Sequence, residues 1–329
     1  MAASVVTSDG NSTNDQLLVN EILLQALKEK GIIDEFKPEK SYGIAVKADM
    51  PKSMLQYSGI YGASGATITI DITEDGVMSV ASEPSPNNPT QIYEYSDDGT
   101  FRSTDGNTMN SFVKEENGRT YLWTRQYASL PGLGQTAMSM YNAEKLQPQD
   151  LPKKTIEAWN ERDGKNYYLL NEKYTSLVYL VGPSKQLPGY VLDKRITSPN
   201  TAISELQIPG TSGRDLSGYS FFTQNGIEYL KSGASVLVSE EAVKPLNVAN
   251  KSIITIPSSG YAEWYTVGNE DGGKTIKVSM SSNASFAVYN KEGACIYFSV
   301  IGEKEPITLP EGGTIVFAGD AGTKFEISA

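Results

Sequence analysis

Two hydrophobic periods divide the chain. Near the start, Leu18, Val19, Ile22, Leu23, Ala26 and Leu27 recur at helical spacing, with Asn20, Glu21, Gln25 and Lys28 opposite them. Thr13, Asn14 or Asp15 is placed to cap this helix, Lys28 and Lys30 suit the dipole in its last turn, and Gly31 is placed to end it. A short strand-like run, Ala2 to Thr7, precedes it. So wide an apolar face needs a partner, and Leu18, Ile22, Leu23, Ala26 and Leu27 are the expected docking face. A membrane-surface helix would be basic on its polar side, whereas this one is mixed.

From Tyr57 onward the period is 2. Thr67-Ile68-Thr69-Ile70-Asp71-Ile72-Thr73 alternates, turns at Glu74-Asp75-Gly76 and returns through Val77, Met78 and Val80, which predicts a hairpin. The pattern repeats at Ile92 to Tyr95 before the turn Ser96 to Gly99, and at Phe112-Val113 before the turn Glu115 to Gly118. An antiparallel meander follows from this. A second series of short strands and aromatic positions begins after the proline-rich stretch Leu146 to Pro152. It starts at Trp159 and the turn Arg162-Asp163-Gly164, and runs to Val238. From Ile253 to Ile327 short strands at close spacing predict a small sandwich of about eight strands, like a jelly roll.

The expected fold is therefore mainly β: antiparallel meander or barrel-like units, a small C-terminal β-sandwich that is jelly-roll-like, and one N-terminal α-helix. The expected divisions are 1–33, 34–150, 151–250 and 251–329, with the middle two able to form one barrel or two.

Composition narrows the chemistry. The chain of 329 residues has no histidine and one cysteine, Cys295. Ser-His-Asp triads, Cys-His pairs and histidine-based zinc sites are thereby excluded, as is an internal disulfide. Carboxylate chemistry, Ser-Lys or Tyr nucleophiles and oxygen-ligated cations remain. The net charge, 28 − 39 = −11, disfavours nucleic acid and anionic lipid as partners. No apolar run is long enough for a membrane span, and residues 1–15 are too polar for a signal peptide.

Three motif matches fall in the wrong context. Gly268-Asn269-Glu270-Asp271-Gly272-Gly273-Lys274-Thr275 fits the phosphate-loop pattern but is followed by strand-like Ile276, Val278 and Met280, not a helix. Gly132-Leu133-Gly134-Gln135-Thr136-Ala137 fits a dinucleotide fingerprint, but with Pro131 in front and no βαβ alternation around it a flexible loop is expected. Ser111-Phe112-Val113-Lys114 fits Ser-x-x-Lys, yet a strand sends Ser111 and Lys114 to opposite faces. The Asp-Gly turns, including Ser103 to Asn107, read as hairpin turns, so no metal and no cofactor is expected.

The aromatic residues suggest a ligand. Tyrosines number 19 against 9 phenylalanines, with a cluster at Trp159, Tyr167, Tyr168, Tyr174 and Tyr179. Such a set suits a carbohydrate face, because flat rings cover sugar C–H faces; it equally suits a sheet core with wet hydroxyls.

Three stretches carry a resemblance: Asn20-Glu21-Ile22-Leu23-Leu24-Gln25-Ala26-Leu27-Lys28-Glu29-Lys30-Gly31, Leu55-Gln56-Tyr57-Ser58-Gly59-Ile60-Tyr61-Gly62, and Gly313-Thr314-Ile315-Val316-Phe317-Ala318-Gly319-Asp320-Ala321-Gly322. They resemble the C-terminal β-rich region of bacterial serine hydrolases of the beta-lactamase and penicillin-binding type. The segment from Tyr261 onward is also similar to small sandwiches that follow secreted peptidases. The first resemblance implies that residues 1–33 are the last strand and helix of a catalytic domain whose body is absent, so no catalytic residue is carried over. It implies a non-catalytic accessory region, extracellular or in the cell envelope, whose partner is the catalytic serine-hydrolase domain. A module binding cell-wall glycan is the alternative, and a carboxylate-based hydrolase the third.

Overall fold

The computed structural model describes residues 12–63, 65–83, 89–172, 178–210, 217–248, 252–258, 261–302 and 306–328. The strand-like run Ala2 to Thr7 lies outside them. The first helix, α1 (Ser12–Glu29), ends as its sequence predicts. Gly31 has φ +65°, its N–H donates to the Lys28 carbonyl at 2.9 Å, and the Ile32 N–H donates to the Leu27 carbonyl at 3.0 Å. That pair of bonds is the left-handed glycine cap. At the other end α1 already includes Ser12, so Thr13, Asn14 and Asp15 lie in its first turn and do not cap it.

Eight antiparallel strands then close into a barrel: β1 (Gly59–Ala63), β2 (Ala66–Ile72), β3 (Val77–Glu83), β4 (Gln91–Tyr95), β5 (Phe101–Ser103), β6 (Thr108–Lys114), β7 (Thr120–Leu130) and β8 (Gly134–Lys145). The three hairpin turns read from sequence are present, and all are built alike. Gly76, Gly99 and Gly118 have φ of +84°, +82° and +78°, and each donates its N–H to the carbonyl three residues earlier, at 2.9–3.1 Å. The β2 alternation sends Ile68, Ile70 and Ile72 into the barrel core beside Tyr61, Met78, Phe101 and Leu122. A 3-10 turn, Lys52–Tyr57, adds Met54, Leu55 and Tyr57, the last stacked on Phe112 at 4.5 Å. The closing seam is short: Tyr61 faces Lys145 and Gly62 faces Glu144.

The rest of the chain holds α2 (Lys153–Asn160) and a second antiparallel sheet. Its strands are β9 (Lys165–Leu169), β10 (Val178–Val181), β11 (Tyr190–Val191), β12 (Lys194–Ser198), β13 (Thr201–Ser204), β14 (Gly218–Gln224), β15 (Ile227–Ser232) and β16 (Ser235–Ser239). They are ordered β10-β9-β16-β15-β14-β13-β12-β11. This is the cyclic order of a meander in which β9 pairs with β16, but β10 and β11 stay unpaired with each other. The barrel and this sheet are thus two separate units.

The C-terminal sandwich comprises β17 (Lys244–Pro245), β18 (Ser252–Thr255), β19 (Ala262–Thr266), β20 (Thr275–Ser279), β21 (Ser285–Tyr289), β22 (Cys295–Phe298), β23 (Ile307–Thr308), β24 (Thr314–Ala318) and β25 (Lys324–Ser328). One sheet is β17-β19-β24-β21-β22 and the other β18-β25-β20-β23. Phe286, Ile315, Phe317, Phe325 and Ile327 fill the space between them. The alternate residues of β19, β21 and β24, Trp264, Tyr289 and Val316, pack instead on Tyr168 and Val238 of the β9–β16 sheet. The Trp264 indole N–H donates to the Leu169 carbonyl across that contact, at 2.7 Å.

By contacts the chain forms two compact units, Met1–Gln149 with Glu205–Leu216, and Asp150–Ser204 with Ser217–Ala329. The excursion after β13 therefore belongs with the barrel. Leu206 and Ile208 are buried there, and the Gln207 N–H donates to the Glu144 carboxylate at 2.7 Å. Gly62 makes room, since a Cβ at that position would lie 2.7 Å from Leu206 Cδ2.

Candidate functional site

The aromatic cluster is where the sequence placed a ligand, and the structure places most of it in core. Trp159 lies on α2, not on a strand. Proline at position 152 begins that helix, and Thr155 and Trp159, four residues apart, turn one face inward. Trp159 is fully buried, donates its indole N–H to the Ser198 carbonyl at 2.9 Å and meets Phe221 edge-on at 5.4 Å. Tyr167 is equally buried beside it. Tyr168, one residue on, points to the opposite face and packs on Trp264 at 4.9 Å. Tyr179 is half-buried against the Trp159 core. Tyr174 lies outside the described residues. A sugar-stacking face needs exposed coplanar rings; these rings are divided between two packed interfaces.

The same core contains a charge network that sequence reasoning missed. Arg162 is buried and donates to Glu228 from Nε at 2.9 Å and Nη2 at 2.6 Å, to the Pro199 carbonyl from Nη1 at 2.6 Å, and to Asn200 Oδ1 at 3.0 Å. Its guanidinium lies 4.0 Å from the Phe221 ring centroid. The Tyr167 hydroxyl donates to the other Glu228 oxygen at 2.6 Å. Burial alone would raise the Glu228 carboxyl, but the hydrogen bonds from Arg162 and Tyr167 outweigh it and hold Glu228 below its ordinary value. Burial and the facing carboxylate both push the Tyr167 hydroxyl up.

A second buried group combines residue types that could serve as a nucleophile and its activator. Lys194 and Ser204 are cross-strand partners, and both donate to Asp193, at 2.8 and 2.7 Å. All three are nearly inaccessible, at 2% for Asp193 and Lys194 and 4% for Ser204. A Ser-Lys nucleophile needs the amine free to take the serine proton. Here the carboxylate occupies both groups, and the arrangement is a satisfied core ion pair.

The phosphate-loop and Ser-x-x-Lys matches resolve as their contexts predict. In Gly268–Thr275 the Lys274 amine is bound to Asp271 at 2.7 Å, and the segment leads directly into β20. Ser111 and Lys114 both lie on β6; Gly132 lies in the tight β7–β8 turn, and Gly134 to Ala137 belong to β8 and are not a flexible loop. Asp105 accepts from the Asn107 N–H and the Ser103 hydroxyl, so its carboxylate serves the turn.

Of the docking face of α1, Leu23, Ala26 and Leu27 are half-buried, whereas Leu18 and Ile22 are 38% and 46% exposed. The fully buried residue is Leu17, outside the predicted set. Adjacent helical residues point about 100° apart, so the helix is turned by one residue from the predicted face. The helix lies against β7 and β8. Glu21 and Leu24 line a cleft of about 580 Å³ with Phe36 and the hairpin's Tyr127 and Gln135. Gln135 closes one wall by exchanging two hydrogen bonds, both 2.8 Å, with the Lys40 backbone.

Among the described residues, no group of three or more acids or cysteine is placed to hold a metal ion, and no helix is long and apolar enough to cross a membrane. No protein-family model, curated protein or solved structure matches the chain.

Proposed function

We propose that this chain is a non-catalytic accessory region of a serine hydrolase of the beta-lactamase or penicillin-binding type, packing on or positioning the catalytic domain outside the cell or in its envelope. One observation carries the non-catalytic part. The buried charged side chains among the described residues are Glu144, Arg162, Asp193, Lys194 and Asp271, and each is in an internal ion pair. A catalytic acid, base or nucleophile needs a face open to substrate, and pairing of this kind removes it. Leu18 and Ile22, two of the apolar side chains that α1 leaves exposed, suit contact with a larger body. The resemblance of residues 20–31, 55–62 and 313–322 supplies the kind of parent enzyme.

The chain incubated with a chromogenic beta-lactam, and separately with a p-nitrophenyl ester, is expected to leave both at their uncatalysed rates. Turnover that a single substitution in this chain abolishes overturns the proposal.

A further inference from the structure

A second concave space lies in the C-terminal sandwich, far in sequence from the aromatic cluster. A cavity of about 630 Å³ is bounded by β20, the turn that follows it and the edge strand β22. That lies inside the range of about 300–1,000 Å³ usual for ligand sites. β20 and β22 belong to different sheets and share no ladder, so the two layers part there.

The floor and rim differ in chemistry. Phe286, 4% exposed, forms the floor, and the Tyr297 ring stacks on it at 5.2 Å and 30°. Gly302 holds Tyr297 in place: a Cβ there would come within 2.7 Å of the tyrosine ring. Of the described lining residues four are serines, Ser279, Ser281, Ser282 and Ser299. Ser299 Oγ accepts the Phe286 N–H at 2.9 Å, which leaves its own O–H to donate.

Among the described residues no carboxylate lines this cavity, and Lys277 is its one charged lining residue. Among these residues a cationic ligand finds no counter-charge. A simple acyl chain would cover Tyr297 but would strip water from the serine hydroxyls without replacing it. A pyranose satisfies both parts, with ring C–H groups against the half-buried Tyr297 ring, which the core residue Phe286 backs, and hydroxyls exchanging hydrogen bonds with the serines.

We propose that the cavity between β20 and β22 binds a neutral polyhydroxylated ring, a monosaccharide or the end of an oligosaccharide. This does not depend on the accessory reading above: a sugar bound by a chain that also hydrolyses a beta-lactam would overturn that reading and leave this one standing.

The test titrates the full chain by calorimetry with chitobiose, maltose and octanoate, each to about 10 mM, the reach needed for weak ligands. Saturation-transfer NMR on the same mixtures identifies the bound protons. At least one sugar is expected to bind saturably, with transfer to its ring C–H protons. Ser282→Trp, at an exposed rim position, is expected to weaken it about tenfold or more with the thermal midpoint unchanged. Lys277→Trp, from the neighbouring strand, is a second block should the first variant misfold. Absence of sugar binding to the unmodified chain overturns the proposal, as does sugar binding that both folded block variants retain, or saturable binding of octanoate alone.

Discussion

The barrel β1–β8 and the sheet β9–β16 are two solutions to one problem. Each has eight antiparallel strands in the same cyclic order, but β1 and β8 pair whereas β10 and β11 do not. The closed barrel fills itself: its buried core is Tyr61, Ile68, Ile70, Ile72, Met78 and their neighbours, almost all from its own strands. The open sheet takes in a residue from outside, Trp159 of α2, and tethers it with an arginine that reaches β15 and the β12–β13 turn. Closure supplies backbone partners for both end strands; an open seam must find its order in side chains. The difference predicts where each half is fragile.

The largest effect is expected at Trp159. Truncation of a fully buried tryptophan costs about 3–5 kcal/mol. Trp159→Ala should therefore lower the urea midpoint, and hydrogen exchange should show lost protection in β9, β12 and β14. Peptides from β1–β8 should keep theirs. Equal loss in the barrel would break the comparison, since it would mean that the two sheets do not hold their cores independently.

A smaller effect, of about 3 kcal/mol by analogy with other broken buried pairs, is expected from Glu228→Gln. The pH dependence gives it a signature. Glu228 titrates below its ordinary 4.5 when folded, so its contribution is complete above that value and is lost as pH falls through the lower, folded one. As pH falls below 4.5, protection in β9 and β15 should fall in the unmodified chain and change less in Glu228→Gln. In the barrel the depressed carboxyls are Asp98 and Asp105, which sit in hairpin turns, so acid should loosen turns there before the core. A flat acid response in β9 and β15 of the unmodified chain would contradict the assigned role of Glu228.

These two residues also mark the limit of what the sequence discloses. The β2–β3 hairpin is legible because strict alternation and an Asp-Gly turn are local, and the structure keeps both. Helix α2 is not: of its eight residues the buried pair is Thr155 and Trp159, while the more apolar Ile156 is 44% exposed. Polarity therefore points away from the true face. Arg162 stands in an Arg-Asp-Gly turn whose local meaning is plain, but its partner Glu228 is 66 residues away, and no period connects them. The cavity by Phe286 is harder still to read. It arises because two strands belong to different sheets, a fact of topology, and its serines resemble those of any loop.

The smallest expected effect concerns α1, where neighbouring leucines have opposite fates. Leu17, Leu18 and Val19 form a run of three apolar residues, and at about 100° per residue such a run cannot disclose which member faces the barrel. Leu17 does, at 1% exposure, and Leu18 does not, at 38%. Leu18→Asp combined with Ile22→Asp should then shift stability by about 0.5 kcal/mol or less, measured by urea unfolding of the full chain. Leu17→Asp, which forces a carboxylate into a site only 1% exposed, should release the helix and raise exchange along residues 12–29. If the Leu18 and Ile22 pair proved as costly as Leu17, both flanks of the helix would be covered within this chain. The exposed flank would then be no docking surface, and the accessory reading would lose its point of contact with the catalytic domain.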